Sequence, residues 1–304
     1  MSLYRKVLDW REHCWGLGFI DAGLETVLGG SNYEILWVKD PEWGKRWFAD
    51  PFILDYNDSQ IVVLAEEFSY SLRRGRIARL TINRSDYVII KCDIILDLNT
   101  HVSFPFIFRK GNDIYIMPEN SASGALLMYK YSDGMLIPYS KVSEFPLTDA
   151  TIIRVDNEAY IMSTYIPNQN GRQLSIWKFD DISCRAFGKE IVVNFPSCKA
   201  RNAGDFFTYK GKTYRPAQDC NKTYGGAMEL QRIDYQNNIF TFVSVAVLKP
   251  SSKRFHMGMH TFNVYKDLII IDGAGYRYPS IGGLVNVIYR ALSSIKHLLL
   301  RHKQ

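Results

Sequence analysis

Two aspartates stand at equivalent places in this chain, each at the start of an apolar run that is typical of a buried strand. Asp50 lies in Ala-Asp-Pro-Phe at 49–52, and Asp149 lies in Asp-Ala-Thr at 149–151. Carboxylates that share a pocket repel each other, which raises at least one pKa and separates an acid role from a base role. Such pairs commonly act on glycosidic bonds. We therefore predict Asp50 as a base or nucleophile, and Asp149 as the residue that orients a sugar or tunes its partner.

A third carboxylate comes from one of two matching segments. Glu119 ends the predicted strand that contains Met-Pro-Glu, and Glu66 and Glu67 occupy the same place one repeat earlier. We take Glu119 as the third catalytic candidate. The alternative for each aspartate is structural, because an Asp at a turn or strand start can satisfy backbone N–H groups.

Residues 201–226 contain the densest group of polar side chains. Arg215, Gln218 and Asp219 offer a forked donor, an amide and an acceptor, a set that suits a polyhydroxylated or phosphorylated ligand. An internal salt bridge between two repeats is the alternative. We predict that Arg201 and Arg215 hold a phosphate or carboxylate. The predicted ligand-binding residues are Glu67, His101, Arg201, Asn202, Arg215, Gln218, Asp219 and His260.

The histidines and cysteines do not predict a metal site. His101 and His260 lack the spacing of a zinc motif, so we expect hydrogen-bonded histidines rather than metal ligands. The five cysteines include no Cys-x-x-Cys pair, which indicates reduced thiols and neither a disulfide framework nor a zinc site. The sequence therefore predicts no metal and no cofactor.

These polar groups recur because the chain repeats one unit five times. When Asp50, Ser103, Asp149, Asp205 and Asn263 are taken as equivalent points, the unit is about 50 residues long, which is typical of propeller blades. Four short strands with tight turns fit in that length. We predict an all-β fold, a five-bladed β-propeller. A β-sandwich is the alternative, because it shows turns at the same density.

The fifth unit lacks two strands, which the N-terminus can supply. Phe19 or the alternating segment Tyr33–Val38 would then close the ring. The innermost strands of a propeller start near its central axis, so their polar first residues converge on one funnel. The residues expected to face one another there are Asp50, His101, Asp149, Arg201 with Asn202, and His260.

The tail, residues 279–304, differs from the propeller, which we assign to residues 1–278. Apolar residues recur every three or four positions between Ile281 and Leu300, and basic residues gather near the end, which predicts an amphipathic helix. This helix either packs against the propeller or lies on an anionic membrane surface. We see no signal peptide and no run of ~20 apolar residues. We therefore expect a cytoplasmic protein that can associate with the inner membrane face.

The composition argues against nucleic acid as a partner and is compatible with a glycan. The net charge of +6 comes from 37 basic and 31 acidic residues that are scattered along the chain. The 19 Tyr, 17 Phe and 6 Trp suit strands and platforms for flat ligands. We expect a sugar or glycoconjugate as the ligand.

The order of several motifs resembles a known family. These motifs are Ala-Asp-Pro-Phe (49–52), His-Val-Ser-Phe-Pro-Phe (101–106), Met-Pro-Glu (117–119), Asp-Ala-Thr (149–151), Arg-Asn-Ala-Gly (201–204) and Tyr-Arg-Pro-Ala-Gln-Asp-Cys (214–220). They resemble the propeller domain that precedes the transferase domain of plant glucosamine inositolphosphorylceramide transferases, and bacterial stand-alone relatives of that domain. More distantly, the chain is similar to the five-bladed glycoside hydrolases of families 43 and 32. The similarity covers most of residues 33–273.

The resemblance to the hydrolases implies roles for two residues. Asp50 matches their blade-one catalytic Asp, and Asp149 matches the blade-three Asp that tunes the acid. Those enzymes take their proton donor, commonly a Glu, from a later blade, where this chain offers Arg201, Asn202 and Asp205. The departure leaves room for glycosyl transfer, for Glu119 as a relocated acid, or for sugar binding without turnover.

We therefore predict a carbohydrate-active protein of the glycosyltransferase type, acting on an activated sugar or a glycolipid-linked glycan in surface polysaccharide or glycoconjugate synthesis. The alternatives are a glycoside hydrolase of the family 43 or 32 type, and a non-catalytic glycan-binding propeller that assists a partner transferase. If Arg201 and Arg215 bind the funnel carboxylates, a binding or structural role is favoured over catalysis.

Overall fold

The computed structural model describes residues 12–279 and 281–287. Within them the chain forms five antiparallel sheets of four strands each, which are the blades of a propeller. The N-terminal elements are β1 (His13–Asp21), α1 (Leu24–Leu28) and β2 (Glu34–Trp37). Blade one consists of β3 (Arg46–Tyr56), β4 (Gln60–Ser69), β5 (Arg74–Asn83) and β6 (Ile89–Leu96). Blade two consists of β7 (Ser103–Lys110), β8 (Asp113–Glu119), β9 (Leu126–Ser132) and β10 (Met135–Ser143).

The remaining strands follow the same pattern. Blade three consists of β11 (Thr148–Val155), β12 (Glu158–Thr164), β13 (Gln173–Asp180) and β14 (Arg185–Asn194). Blade four consists of β15 (Phe207–Tyr209), β16 (Lys212–Asp219), β17 (Ala227–Gln236) and β18 (Ile239–Leu248). The last strands are β19 (Phe262–Tyr265) and β20 (Leu268–Tyr276). The five-bladed β-propeller that the repeats predict is confirmed.

Blade five joins the two ends of the chain. Its strand order is β19-β20-β1-β2, so its two inner strands come from the C-terminal part and its two outer strands from the N-terminal part. β1 pairs with β20 from His13 opposite Tyr276 to Phe19 opposite Ile270. Both predicted closing segments are thus part of blade five. Phe19 lies in β1, and the segment Tyr33–Val38 contains β2, which pairs with β1.

Apolar side chains on the facing surfaces of neighbouring blades form the core. Between blades one and two, the ring of Phe52 meets the ring of Phe104 edge-to-face at 5.0 Å, a geometry that aromatic pairs prefer. Where blade five meets blade one, Leu17 of β1 is buried in a cluster with Phe48 and Ile270. These contacts hold the blades side by side around the axis.

A short C-terminal helix, α2, occupies 281–287. The side-chain amide of Asn286 donates a hydrogen bond to the hydroxyl of Tyr276 (2.9 Å), so this part of the tail contacts the propeller. Residues 288–304, which carry most of the predicted amphipathic pattern, lie outside the described residues, and their contact with lipid stays a prediction. Among the described residues, no helix has the length and apolar character needed to cross a membrane.

Replacing Leu17 with Ala tests whether β1 stabilises the ring. Leu17 is 2% exposed, and a truncation of this kind in a packed core costs about 2–5 kcal/mol in the free energy of unfolding. Denaturant unfolding measures the loss. The control is Val243→Ala on the outermost strand of blade four, where the side chain is 42% exposed. Equal stability of the two variants would show that β1 is not part of the folded blade.

Candidate functional site

A β-bulge interrupts the start of the inner strand in blades one, two and three. The pairing of β3 with β4, β7 with β8 and β11 with β12 shifts its register there. The bulge residues have positive φ: Asp50 (50°), Phe104 (44°) and Asp149 (47°). A bulge turns a residue out of the ladder and leaves its N–H unpaired. The equivalent residue in blade two is therefore Phe104, whereas the sequence pattern indicated Ser103.

Acidic side chains of the neighbouring blade bind these bulge N–H groups. The N–H of Asp50 donates to Asp272 Oδ2 (3.1 Å), and the N–H of Phe104 donates to Asp50 Oδ2 (3.1 Å). The N–H of Asp149 donates to Glu119 Oε2 (3.1 Å). We call these three hydrogen bonds the interblade latches. Because a buried N–H without an acceptor costs about 1–3 kcal/mol, the latches stabilise the ring at its axis.

Amide side chains make similar contacts on the other side of the funnel. Asn263 Oδ1 accepts the N–H of Asp205 (2.6 Å), and its Nδ2 donates to the carbonyl of Pro51 (2.7 Å). Asn202 Nδ2 donates to the carbonyl of Asp149 (2.9 Å). Blades three, four, five and one are thus also connected at the axis, here through neutral groups.

Asp50 lies in the first of two polar clusters. Its Oδ1 accepts the hydroxyl hydrogen of Thr261 (2.8 Å) and lies 3.6 Å from His260 Nδ1. Burial raises the pKa of Asp50 to about 6, with His260 opposing the shift and the carboxylates of Asp149 and Asp272 adding to it. Asp50 is thus a carboxyl that exchanges its proton close to neutral pH, as a general base should.

His260 and Asp272 form a buried ion pair next to Asp50. His260 Nδ1 lies 2.6 Å from Asp272 Oδ2. Burial disfavours the charged imidazole, but the carboxylates of Asp272 and Asp50 outweigh it and raise the pKa of His260. The indole of Trp15 stacks on the imidazole with ring centroids 3.8 Å apart. His260 is therefore held from two sides, as a structural histidine would be.

The ligand atoms of Asp50, His260 and Asp272 lie within 4.8 Å of one another, which is close enough to hold a metal ion. However, Asp272 already accepts the N–H groups of Asp50, His260 and Thr261. Its remaining contact is the ion pair with His260. The hydrogen bonds to Asp272 and its ion pair with His260 thus already engage both of its oxygens.

Arg201 organises the second cluster. Its Nε and Nη2 donate to the two oxygens of Asp149 (2.6 and 3.3 Å), and Gln218 Nε2 donates to Asp149 Oδ2 (2.8 Å). Arg201 Nη2 also lies 3.6 Å from Glu119 Oε2. Burial raises the pKa of Glu119 well above its usual range, and the charge of Asp149 adds to this while Arg201 opposes it. Four of the predicted site residues are thus brought together.

Tyr224 lies between the two clusters. The guanidinium of Arg201 lies 5.0 Å from the centre of its ring, and the imidazole of His260 lies 5.4 Å from it. The tyrosine remains 48% exposed. An aromatic ring that is anchored at two points and open to solvent is suited to stack on a flat ligand.

Arg215 does not face the funnel. It is fully buried, and it donates to Asn202 Oδ1 (2.8 Å), to Gln231 Oε1 (2.6 Å) and to the carbonyl of Ala200. The structure thus places the Arg215 guanidinium among protein acceptors and without exposed surface, away from the position that the predicted contact with phosphate requires. Arg215 instead supports Asn202, and through it the backbone of Asp149.

Two further predicted residues have other partners. The guanidinium of Arg76 binds both oxygens of Glu67 (3.0 and 3.1 Å). Asp219 Oδ1 accepts the N–H of Asn221 (3.1 Å) in the turn that follows β16. Neither residue belongs to the two clusters, and their predicted contact with ligand stays a prediction.

The sequence pattern does not single out Asp272, and it does not distinguish Glu66 from Glu67 as the counterpart of Glu119. Asp272 follows four consecutive apolar residues in the last strand, and a charge inside such a run is the signal that indicates it. The strand register places Glu66, and not Glu67, at the position that Glu119 has in blade two. Glu66 Oε1 lies 3.3 Å from Nε2 of the predicted residue His101.

Replacing Asp272 with Asn tests the importance of the ion pair and its latch. Asparagine removes the nearer of the two carboxylates that face His260 and lacks one acceptor oxygen, so we expect the free energy of unfolding to fall by about 3–5 kcal/mol. Urea unfolding measures this. Asp181→Asn, which breaks the exposed ion pair with Arg154, is the control and should leave stability nearly unchanged. Similar small losses in both variants would contradict a structural role for Asp272.

Known proteins resemble the chain in sequence over its central part. A family model described as "Glucosamine inositolphosphorylceramide transferase 1, N-terminal" matches residues 36–265. Glucosamine inositolphosphorylceramide transferase 1 of Oryza sativa subsp. japonica is 28% identical over 200 residues, which are 62% of this chain and 26% of that protein. The Arabidopsis thaliana protein of the same name is 28% identical over 201 residues, with the same coverage. The chain thus spans about a quarter of the length of these relatives.

Solved structures of glycoside hydrolase family 43 resemble the chain in fold. A β-xylosidase/α-arabinofuranosidase from a compost microbial metagenome aligns with a TM-score of 0.54 and 10% identity, covering 76% of this chain and 91% of that chain. An exo-β-1,3-galactanase from Phanerochaete chrysosporium aligns with a TM-score of 0.54 and 11% identity, covering 74% of this chain and 55% of that chain. Similarity at this identity shows the fold alone. The sequence match over most of the chain shows more: the chain belongs to the family defined by the N-terminal region of glucosamine inositolphosphorylceramide transferase 1.

Proposed function

We propose that this chain is a carbohydrate-active protein that binds a glycoconjugate in the funnel and transfers a glycosyl unit to an acceptor hydroxyl. The observation that carries the proposal is Asp50, a buried carboxyl at the axial end of blade one with a pKa of about 6. The names of the plant relatives, which are transferases, support it. The family 43 structures contribute the fold.

Asp50 would act as the base of this reaction. It takes the proton of the acceptor hydroxyl while the acceptor oxygen forms a bond to the anomeric carbon of the sugar and the bond from that carbon to its leaving oxygen breaks. A pKa near 6 leaves most of Asp50 ionised at neutral pH and still basic enough to accept the proton. The hydrogen bonds from Phe104 and Thr261 hold the carboxylate in one orientation.

Asp149 and Glu119 would assist by shaping the ligand site and the field around Asp50. Arg201 fixes Asp149 through two hydrogen bonds, and Glu119 is fixed by the latch to the Asp149 backbone. The charge of Asp149 adds to the increase in the pKa of Asp50. This assignment keeps the tuning role that the sequence predicts for Asp149.

The charges in the funnel favour the neutral, hydroxyl-rich part of a glycoconjugate. Arg201 and His260 lie at the funnel carboxylates, but each is paired with an aspartate, and Arg215 is buried. A phosphate would have to compete with Asp149 for Arg201. We therefore expect any phosphate of the ligand to lie outside the two clusters.

A second candidate function is glycan binding without turnover. Arg201 and Gln218 together donate three hydrogen bonds to Asp149. A carboxylate engaged in this way is a rigid part of a binding surface rather than a reacting group. On this alternative the propeller would present a glycan to a partner transferase.

Asp50→Asn separates the two candidates. We expect turnover to fall at least ~100-fold, because Asn cannot accept the proton, whereas ligand binding is retained. A thermal-shift screen of glycans and glycolipid headgroups finds the ligand, since binding to the folded state raises the melting temperature. Mass spectrometry of the incubated ligand with an acceptor alcohol then measures turnover.

Asp55→Asn is the matched control for this experiment. Asp55 lies on the same strand but points to solvent, where Lys266 lies 3.6 Å from it. The Asp55→Asn variant should bind the ligand and turn it over like the wild type. Unchanged turnover in Asp50→Asn would rule out Asp50 as the base. A thermal shift without turnover in every protein would favour the binding candidate.

The pH dependence of turnover provides a further test. A base with a pKa of about 6 is ionised above that pH and protonated below it. We expect kcat/KM to fall towards tenfold per pH unit below about 6. An acid limb near pH 4, the usual range of an Asp, would assign the base to another residue.

A further inference from the structure

Glu66 lies at the axial end of β4 beside the bulge that carries Asp50. It pairs with Ala49 on the inner strand, as Glu119 pairs with Ser103 in the next blade. The residue is 5% exposed. The register and the burial therefore place a second carboxyl of blade one next to the proposed base.

Glu66 differs from the other acids of the funnel because it takes no part in a latch. Asp50, Glu119 and Asp272 each accept a backbone N–H of a neighbouring blade, and Arg201 and Gln218 engage Asp149. In the part of the chain that the structure describes, the buried Oε1 of Glu66 has no hydrogen-bond partner. A buried carboxyl that the fold does not use is a candidate for chemistry.

His101 is the nearest polar neighbour of Glu66. Its Nδ1 accepts the N–H of Gly75 (2.9 Å), so the neutral ring carries its hydrogen on Nε2. Nε2 lies 3.3 Å from Glu66 Oε1. Nε2 and Oε1 are thus close without forming a hydrogen bond. A proton on Oε1 would meet the hydrogen on Nε2, so the proton of a neutral Glu66 is better placed on Oε2. Gly75 makes room for this arrangement, because a Cβ there would lie 2.6 Å from Oε1.

We propose that Glu66 is the proton donor of the reaction and that His101 positions it, an inference that rests on the proposed glycosyl transfer at this funnel. The C–O bond between the sugar and its leaving group breaks as Glu66 gives its proton to the leaving oxygen. The acceptor oxygen forms the new bond to the anomeric carbon and loses its own proton to Asp50. One proton enters Asp50 and one leaves Glu66, so the step is balanced.

The surroundings of Glu66 favour its neutral form. Burial raises the pKa of Glu66 well above its usual range, and the charges of Asp50, Glu119, Asp272 and Asp149 act in the same direction. Burial also lowers the pKa of His101, so the neighbouring ring is neutral at pH 7 and does not stabilise a Glu66 carboxylate by its charge. Blade one thus carries the proposed base and, on the neighbouring strand, a second carboxyl whose neutral form is favoured by burial.

A proton donor implies a class of donor substrate. A nucleoside diphosphate leaves as a stable anion and needs no proton, whereas an alkoxide leaving group does. The donor substrate is therefore one whose sugar is joined to an alcohol oxygen, such as a glycan or a glycolipid.

Leaving-group dependence tests the role of Glu66. The probes are an alkyl glycoside and a 2,4-dinitrophenyl glycoside of the sugar that the thermal-shift screen selects, with an acceptor alcohol present. Glu66→Gln should lower kcat/KM for the alkyl glycoside ~100- to 10,000-fold, as loss of a general acid does. It should leave the dinitrophenyl glycoside nearly unaffected, because dinitrophenolate leaves without a proton.

The controls distinguish this inference from the proposed function. Asp50→Asn should lower turnover of both glycosides, and the exposed Glu144→Gln neither. Equal losses for both glycosides in Glu66→Gln, or the selective loss in Glu119→Gln instead, would overturn the assignment of Glu66. If the wild-type protein turns over neither glycoside, the proposed transfer is contradicted. The pH dependence of stability then still tests whether Glu66 carries a proton.

Stability as a function of pH tests the proton on Glu66 without any substrate. A carboxyl whose pKa is higher in the folded than in the unfolded chain binds an extra proton on folding, so stability falls as pH rises from about 4.5 through the folded pKa. Glu66→Gln removes this loss. We expect its melting temperature relative to wild type to rise between pH 4 and pH 8. A pH-independent difference would show that Glu66 is ionised and is not the donor.

His101→Phe tests the positioning role. Phenylalanine keeps the ring but removes the N–H that faces Glu66, which should raise the pKa of Glu66 further. We expect the basic limb of the pH profile for the alkyl glycoside to move to higher pH, with kcat/KM reduced. An unchanged profile would exclude His101 as a positioning residue and leave Glu66 to act alone.

Discussion

The hydrogen bonds between bulge N–H groups and carboxylates of the next blade hold the centre of this propeller together. An inner strand has a partner strand on one side only, so its other edge exposes N–H groups to the axis. At Asp50, Phe104 and Asp149 a bulge turns one such N–H towards the neighbouring blade, where an acid receives it. The acids are therefore needed for the ring before they can serve any ligand.

This structural demand limits which acids can react. Asp272 accepts three N–H groups and pairs with His260, which leaves it little capacity for other contacts. Asp50 combines a latch with a pKa close to neutral, so it serves both the fold and the proposed chemistry. Glu66 takes no part in the latches. The division of roles among chemically identical groups follows from which of them a backbone N–H reaches.

The repeat of polar residues at strand starts was sufficient to predict five blades, the closing N-terminal strands and the gathering of Asp50, Asp149, Arg201 and His260. The sequence does not reveal burial of long polar side chains, so the pattern around Arg215 predicts a ligand-binding residue although its guanidinium binds Asn202 inside the protein. Nor does spacing alone set strand register. A shift of one residue exchanges the two faces of a strand, so spacing cannot tell whether Glu66 or Glu67 corresponds to Glu119.

The pairing of β1 with β20 also has a consequence for the order in which the protein is made. The first strand leaves the ribosome some 250 residues before its partner does, since β1 spans His13–Asp21 and β20 spans Leu268–Tyr276. A pairing between such distant segments forms late, because a long loop must close first. Trp15 arrives with the first strand and His260 with the last part of the chain. The funnel therefore cannot assemble until synthesis has passed blade five.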